Sequence, residues 1–208
     1  MTIDFDTYKL TKSNYTPQGT TKSKIVIGST YSTGMSHYNG WVNRLNGNYT
    51  KTAMFTVSIN GTVYQHFSPL FFSNLMLEPE LNENSITILL ENEGWLVKDL
   101  TNENRYINYV GHIYNRKDSV IEKRWRGQTY WAPFTNKQVT STVELIVELC
   151  ENFDIQMEVV SHNTNFDNAY DFNGILYRSN FEQHYTDISP AWDCRRFKDK
   201  LDKNKQNG

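Results

Sequence analysis

Lys24-Ile25-Val26-Ile27-Gly28-Ser29-Thr30 is the stretch on which the fold turns. Three consecutive β-branched residues, Ile25, Val26 and Ile27, make it a short buried strand. A turn containing Ser, Thr and Gly follows. Met35–Asn46 then predicts a helix, with Met35, Tyr38, Trp41, Val42 and Leu45 at helical spacing and Gly47 as its stop. Ala53–Ser58 and Thr62–Phe67 flank Asn60-Gly61, and Asn-Gly supplies the positive φ angles of a tight hairpin. Ser85–Asn92 (SITILLEN) is a second buried strand. Thr135 and Gln138 have the spacing of a capping box, which satisfies orphan donors at a helix start. Val139, Val143, Ile146, Val147, Cys150 and Phe153 form the buried stripe of that helix. Glu158–His162 (EVVSH) reads as a third central strand, and Ser189-Pro190 as the start of a last helix through Trp192, Phe197 and Leu201. Strands and helices alternate, so the expected fold is α/β, a mixed central β-sheet flanked by helices. One domain is expected over 23–203, after a polar lead-in at 1–22 and before a charged tail at 204–208. The pattern breaks at 93–134, an aromatic-rich insertion read as a hairpin plus a loop.

Composition narrows the function. Of 208 residues, 38% are hydrophobic and 14% aromatic, which excludes wholesale disorder. Lys and Arg number 21 against 23 Asp and Glu, net −2, so neither a sequence-independent nucleic-acid polymer binder nor a polybasic membrane anchor is expected. Met1–Leu10 has no basic or apolar signal region, and the apolar stretches fall far short of the roughly 20 residues that span a bilayer. The expected location is the host cytoplasm. Two cysteines, Cys150 and Cys194, exclude a disulfide scaffold; Cys150 reads as core.

The order of these pieces resembles the type 2 N-acetylmuramoyl-L-alanine amidases, the family of short-tailed-phage lysozymes and peptidoglycan recognition proteins. The resemblance runs over most of Lys24–Phe197 outside the insertion. It is carried best by Asn60-Gly61-Thr62-Val63-Tyr64-Gln65 and by Asp187-Ile188-Ser189-Pro190-Ala191-Trp192-Asp193. It implies a tailed-phage protein and a zinc hydrolase that cuts the amide between muramic acid and L-alanine. Such a zinc takes three protein ligands and keeps a position open for water. Carried over, the second and third ligands fall on His162 and Asp187, and the first falls on Gly28, which has no side chain to offer. The family's hairpin pair near the metal reads Ala53 and Met54 here. The catalytic Glu position of some members reads Leu89, with Glu91 two residues on.

Two arrangements fit this pattern. His37 or His184 completes a displaced zinc site, or His162 and Asp187 form a hydrogen-bonded pair without metal. In the insertion, Arg124, Trp125, Arg126 and Trp131 offer cations and flat rings for a ligand, beside a bland alternative in which they build local core. His66 and His112 read as structural. The expected function is an amidase-fold protein with an incomplete zinc site, binding a muropeptide or another small molecule, with a host molecule sequestered as one use. The alternatives are an active peptidoglycan amidase with a rebuilt site, and a structural virion or interaction protein.

Overall fold

The computed structural model describes residues 2–116, 119–165 and 169–205. In chain order the strands are β1 (Ile3–Asp4), β2 (Lys24–Ser29), β3 (Phe55–Val57), β4 (Val63–Gln65), β5 (Ser85–Leu90), β6 (Trp95–Asp99), β7 (Asn102–Asn108), β8 (Ile113–Tyr114), β9 (Ile121–Trp125), β10 (Gln128–Trp131) and β11 (Gly174–Tyr177). The helices are α1 (Ser36–Asn43), α2 (Pro79–Asn84), α3 (Asn136–Phe153) and α4 (Cys194–Lys205).

The main sheet has the order β1-β4-β3-β5-β2-β11. Strands β3, β5, β2 and β11 run parallel, while β4 is antiparallel to β3. Every residue of β2 and β5 is buried, as β-branched runs without alternation require. Their register sets Ile25 against Ile86, Ile27 against Ile88 and Gly28 against Leu89. α3 begins with the predicted capping box: Thr135 Oγ1 accepts from Gln138 N–H, and Gln138 Oε1 accepts from Thr135 N–H. α3 lies against β3 and α4.

Six expectations are corrected. The lead-in is not featureless, because β1 pairs with β4 at the sheet edge. The first helix ends at Asn43; Leu45 and Asn46 turn left-handed, at φ 50° and 52°, so Leu45 faces solvent instead of the core. At the Asn60-Gly61 hairpin only Gly61 has positive φ. Gly61 N–H closes on Ser58 C=O, so the loop is a tight turn followed by one left-handed residue. The late strand that pairs with β2 is β11, at the end of the sheet, not Glu158–His162, which contributes one bridge, Val159 to Ile175, outside β11. The last helix starts at Cys194, where Asp193 Oδ1 accepts the Arg196 N–H, four residues after the expected Pro190 start. The first two residues of the expected tail, Asn204 and Lys205, continue α4, and 206–208 lie outside the described residues.

The insertion is a sheet of its own, antiparallel, in the order β8-β7-β6-β10-β9. Leu96, Tyr114 and Ala132 form a small separate core for it. The β9–β10 hairpin turns on Arg126-Gly127, two residues both with positive φ. That turn needs the conformation Asn-Gly favours, but Arg at its first position hides it from a sequence reading.

Candidate functional site

A cleft of about 630 Å³ opens at the carboxyl ends of the parallel strands. Ser29 and Thr30 leave β2 into it, Leu89 of β5 lines it, and Arg178 enters from the end of β11. α1 contributes His37 and Trp41, and the β7–β8 hairpin overhangs it with Tyr109 and His112. Open parallel sheets place ligands at such strand ends, because several loops converge there.

Behind the floor lies a buried ion cluster. Arg178 Nε donates to Glu182 Oε2 at 2.6 Å, and Nη1 stands 3.8 Å from Asp187 Oδ2. The guanidinium lies 3.4 Å over the Tyr185 ring, and Nη2 donates to Leu75 C=O. Asp187 is fully buried, and its Oδ2 accepts Ser29 N–H at 3.0 Å. Burial raises the Asp187 carboxyl above the usual range, against the opposing pull of Arg178 and the Ser29 N–H. For Arg178, burial works against the charge, but Asp187 and Glu182 outweigh it and hold the cation. Buried charges persist only when paired in this way.

A Cβ on Gly28 would lie 2.5 Å from Asp187 Oδ2 and 3.0 Å from Leu89 Cδ2. The space a ligand side chain would enter is therefore filled by the carboxylate itself. Among the described residues no group of three His, Cys, Asp or Glu side chains is placed to hold a metal ion. The residues present do not fit the zinc that the resemblance implies.

The residues singled out in the sequence are scattered. His162 packs its ring 5.1 Å from Trp125 and 6.3 Å from Tyr177, in a second groove with Lys123 and Cys194. Burial first, then the Lys123 and Arg126 charges, push the His162 imidazole down to about 4, and its Nδ1 has no partner among the described residues. No hydrogen bond or ion pair joins His162 to Asp187, the two positions the resemblance pairs, among the described residues; His162 Nδ1 and Asp187 Oδ1 both lack a partner there. His184 is exposed, beside Gln183 and Tyr185 at the edge of other hollows. Glu91 is buried and structural. One oxygen accepts Ile59 N–H at 3.0 Å, and the other accepts the N–H groups of Gly34 and Met35.

In the insertion the bland alternative holds for two of four residues. Trp131 is fully buried and donates Nε1–H to Lys123 C=O. Arg126 is spent on main chain: it donates to the carbonyls of Ser179, Glu182 and Tyr185. The second sheet thus reaches across through one side chain and pins the loop that carries Glu182 and Asp187. Trp125 lies under Arg126, 4.6 Å away, and donates to Asn163 Oδ1. Arg124 is exposed on β9.

A hydrogen-bond chain that sequence spacing did not reveal runs back from the cleft. His66 Nδ1 faces Tyr8 C=O at 2.7 Å, so that nitrogen carries the proton. His66 Nε2 then accepts from Thr56 Oγ1 at 2.8 Å, and Thr56 accepts from His37 Nε2–H at 3.1 Å. His37 Nδ1 is left to accept from Ser32 Oγ at 3.3 Å. Burial holds His66 down to about 4 and His37 to about 3, so both rings are neutral near pH 7. His37 therefore belongs to this chain and not to a group of metal ligands.

A parallel α/β core with its cleft at the strand ends, joined to an antiparallel subdomain, defines the class. The family model described as N-acetylmuramoyl-L-alanine amidase matches residues 18–173, and the chain belongs to that family. Solved structures agree on the fold. The N-acetylmuramoyl-L-alanine amidase LysC from Clostridium intestinale is 14% identical with a TM-score of 0.52, over 97% of this chain and 98% of that one. AmiD from E. coli, in complex with anhydro-N-acetylmuramic acid-L-Ala-D-γ-Glu-L-Lys, is 15% identical with a TM-score of 0.55, over 94% of this chain and 62% of that one. AmpDh3 from Pseudomonas aeruginosa, in complex with an anhydromuramic pentapeptide, is 11% identical with a TM-score of 0.51, over 96% of this chain and 66% of that one. No curated protein matches the chain. No helix among the described residues is long and apolar enough to cross a membrane.

Proposed function

We propose that this chain is a muropeptide-binding member of the amidase family that has lost zinc hydrolysis. The observation that carries the reading is the Asp187 carboxylate at Gly28, where a first ligand would project. Two further features support it. His162, on which the resemblance puts the second ligand, lies in a second groove, while the cleft itself receives Arg178 from the end of β11, a guanidinium held by Glu182 and Asp187. Glu91, two residues from the family's catalytic position, has both carboxylate oxygens engaged by main-chain N–H groups, which hold it in a structural role. Without a metal to polarise the carbonyl and lower the pKa of water, amide cleavage loses its main source of rate.

The binding part of the reading is supported by the cleft and by the muropeptides held in two structures of the same fold. The test is calorimetric titration of the purified protein with N-acetylmuramoyl-L-alanyl-D-glutamate, followed by mass spectrometry of the same mixture. Binding with the ligand recovered intact supports the reading. Absence of binding up to millimolar ligand overturns it, and release of N-acetylmuramic acid and L-alanyl-D-glutamate establishes the active alternative.

A further inference from the structure

The charge on the cleft walls is one-sided. We propose that the ligand is anchored by an oxyanion, a carboxylate or a phosphate, held between Arg44 and Lys51, with its ring or peptide portion against Tyr109. The proposal rests on the reading of this cleft as the binding site and names the chemistry it selects.

Three cations line the cleft, Arg44, Lys51 and Arg178, and no Asp or Glu among the described residues lines it. The chain as a whole is slightly acidic, at net −2, so this wall is not a sample of the average surface. Arg178 is already neutralised by Glu182 and Asp187. Arg44 and Lys51 are exposed and have no carboxylate partner among the described residues. Arg44 sits 5.4 Å over the Tyr49 ring, which places the guanidinium at the rim with its N–H donors unused among the described residues. It is aimed there by the end of α1, where the left-handed Leu45 and Asn46 turn the chain away. A planar fork from Arg and a point charge from Lys suit a carboxylate or a phosphate alike. Trp41 and Leu89, both buried, also line the cleft, and such low-dielectric walls focus the field of the two cations into it. Tyr109, half exposed on the β7–β8 hairpin, provides the flat surface for the rest of the ligand.

The test compares the parent protein with Arg44→Ala/Lys51→Ala by calorimetry at low and high salt. The probes are N-acetylmuramoyl-L-alanyl-D-glutamate, the same compound with its carboxyls amidated, and ADP. Both substitutions are on exposed side chains, and a thermal melt checks the fold; Arg44→Lys, which keeps the charge and loses the fork, is a second variant. We expect at least one anionic probe to bind, to weaken about ten- to a hundred-fold in the double variant and less in Arg44→Lys, and to weaken with salt. The amidated compound should bind at least about ten-fold less tightly than the acid and be indifferent to the substitutions. Binding of ADP but not of the muropeptide supports the oxyanion site and overturns the muropeptide reading. Equal binding of acid and amide, unchanged in the double variant, overturns the oxyanion site and leaves the muropeptide reading standing. Failure of both anions to bind up to millimolar concentration overturns the proposal.

Discussion

Replacing Gly28 by alanine adds one methyl group at the point where the cleft floor meets the ion cluster. That methyl would lie 2.5 Å from Asp187 Oδ2 and 3.0 Å from Leu89 Cδ2. Leu89 can shift a few tenths of an ångström, but the carboxylate has little room. Asp187 is fully buried, is held by Ser29 N–H at 3.0 Å and faces Arg178. Overpacking of this kind costs about 1–3 kcal/mol. Displacing the carboxylate weakens a charged hydrogen bond normally worth about 1.5–3 kcal/mol. With partial relaxation, Gly28→Ala should destabilise the fold by about 2–4 kcal/mol, a fall in Tm of about 5–15 °C for a chain of this size. The cause is identified by a double-mutant cycle. In an Asp187→Ala background the new methyl meets only Leu89, while Arg178 keeps Glu182, so the cost of Gly28→Ala should drop by about 1–2 kcal/mol. Chemical denaturation of the four proteins measures this. A Gly28→Ala protein within about 0.5 kcal/mol of the parent, or an equal cost in both backgrounds, would refute the claim that Asp187 fills the position.

Two further outcomes are expected. His66 is completely enclosed and burial holds it down to about 4 from an ordinary 6.5, so between those pH values the unfolded chain binds a proton that the folded chain does not. Unfolding free energy must then fall as pH falls through this window, by about 3 kcal/mol from this residue; His66→Gln should remove that share of the slope in urea melts from about pH 7 to about pH 4, and an unchanged slope would contradict it. Arg126→Ala removes the side-chain donor from the carbonyls of Ser179, Glu182 and Tyr185, of which Glu182 keeps the Tyr185 N–H. It should cost about 2–4 kcal/mol and speed amide hydrogen exchange across residues 178–187; exchange unaltered there would show that the second sheet does not brace the loop.

The central strands, the capped helix and the hairpin are legible because each is dictated locally. β2 and β5 are runs too apolar to be anything but buried, and Thr135 with Gln138 carries its own hydrogen-bonding pattern. β11 escapes a sequence reading because four residues, Gly174–Tyr177, are too short a run to stand out, whereas Glu158–His162 has the better β-branched pattern and loses its place to tertiary pairing. The second sheet is hidden for a different reason. Its strands leave Val97, Ile113 and Ile121 exposed and alternate poorly, and its tightest turn uses Arg126. In the site, Gly28 and Asp187 are both marked by the resemblance, but sequence spacing cannot reveal that the two compete for the same space. Arg178 and Glu182 give no signal, since an i, i+4 pair of opposite charge usually lies on a solvated surface. Trp131 and Arg126 carry the residue types of a ligand surface, yet burial and main-chain acceptors absorb them.

The most direct measurement is a timed digestion of defined N-acetylmuramoyl-L-alanyl peptide by the purified protein with saturating zinc, read by mass spectrometry beside a chelator-treated control. We expect the amide to stay uncut in both, because the Asp187 carboxylate stands where a zinc-ligating side chain would have to project. Catalytic turnover that depends on zinc and vanishes with the chelator would contradict that.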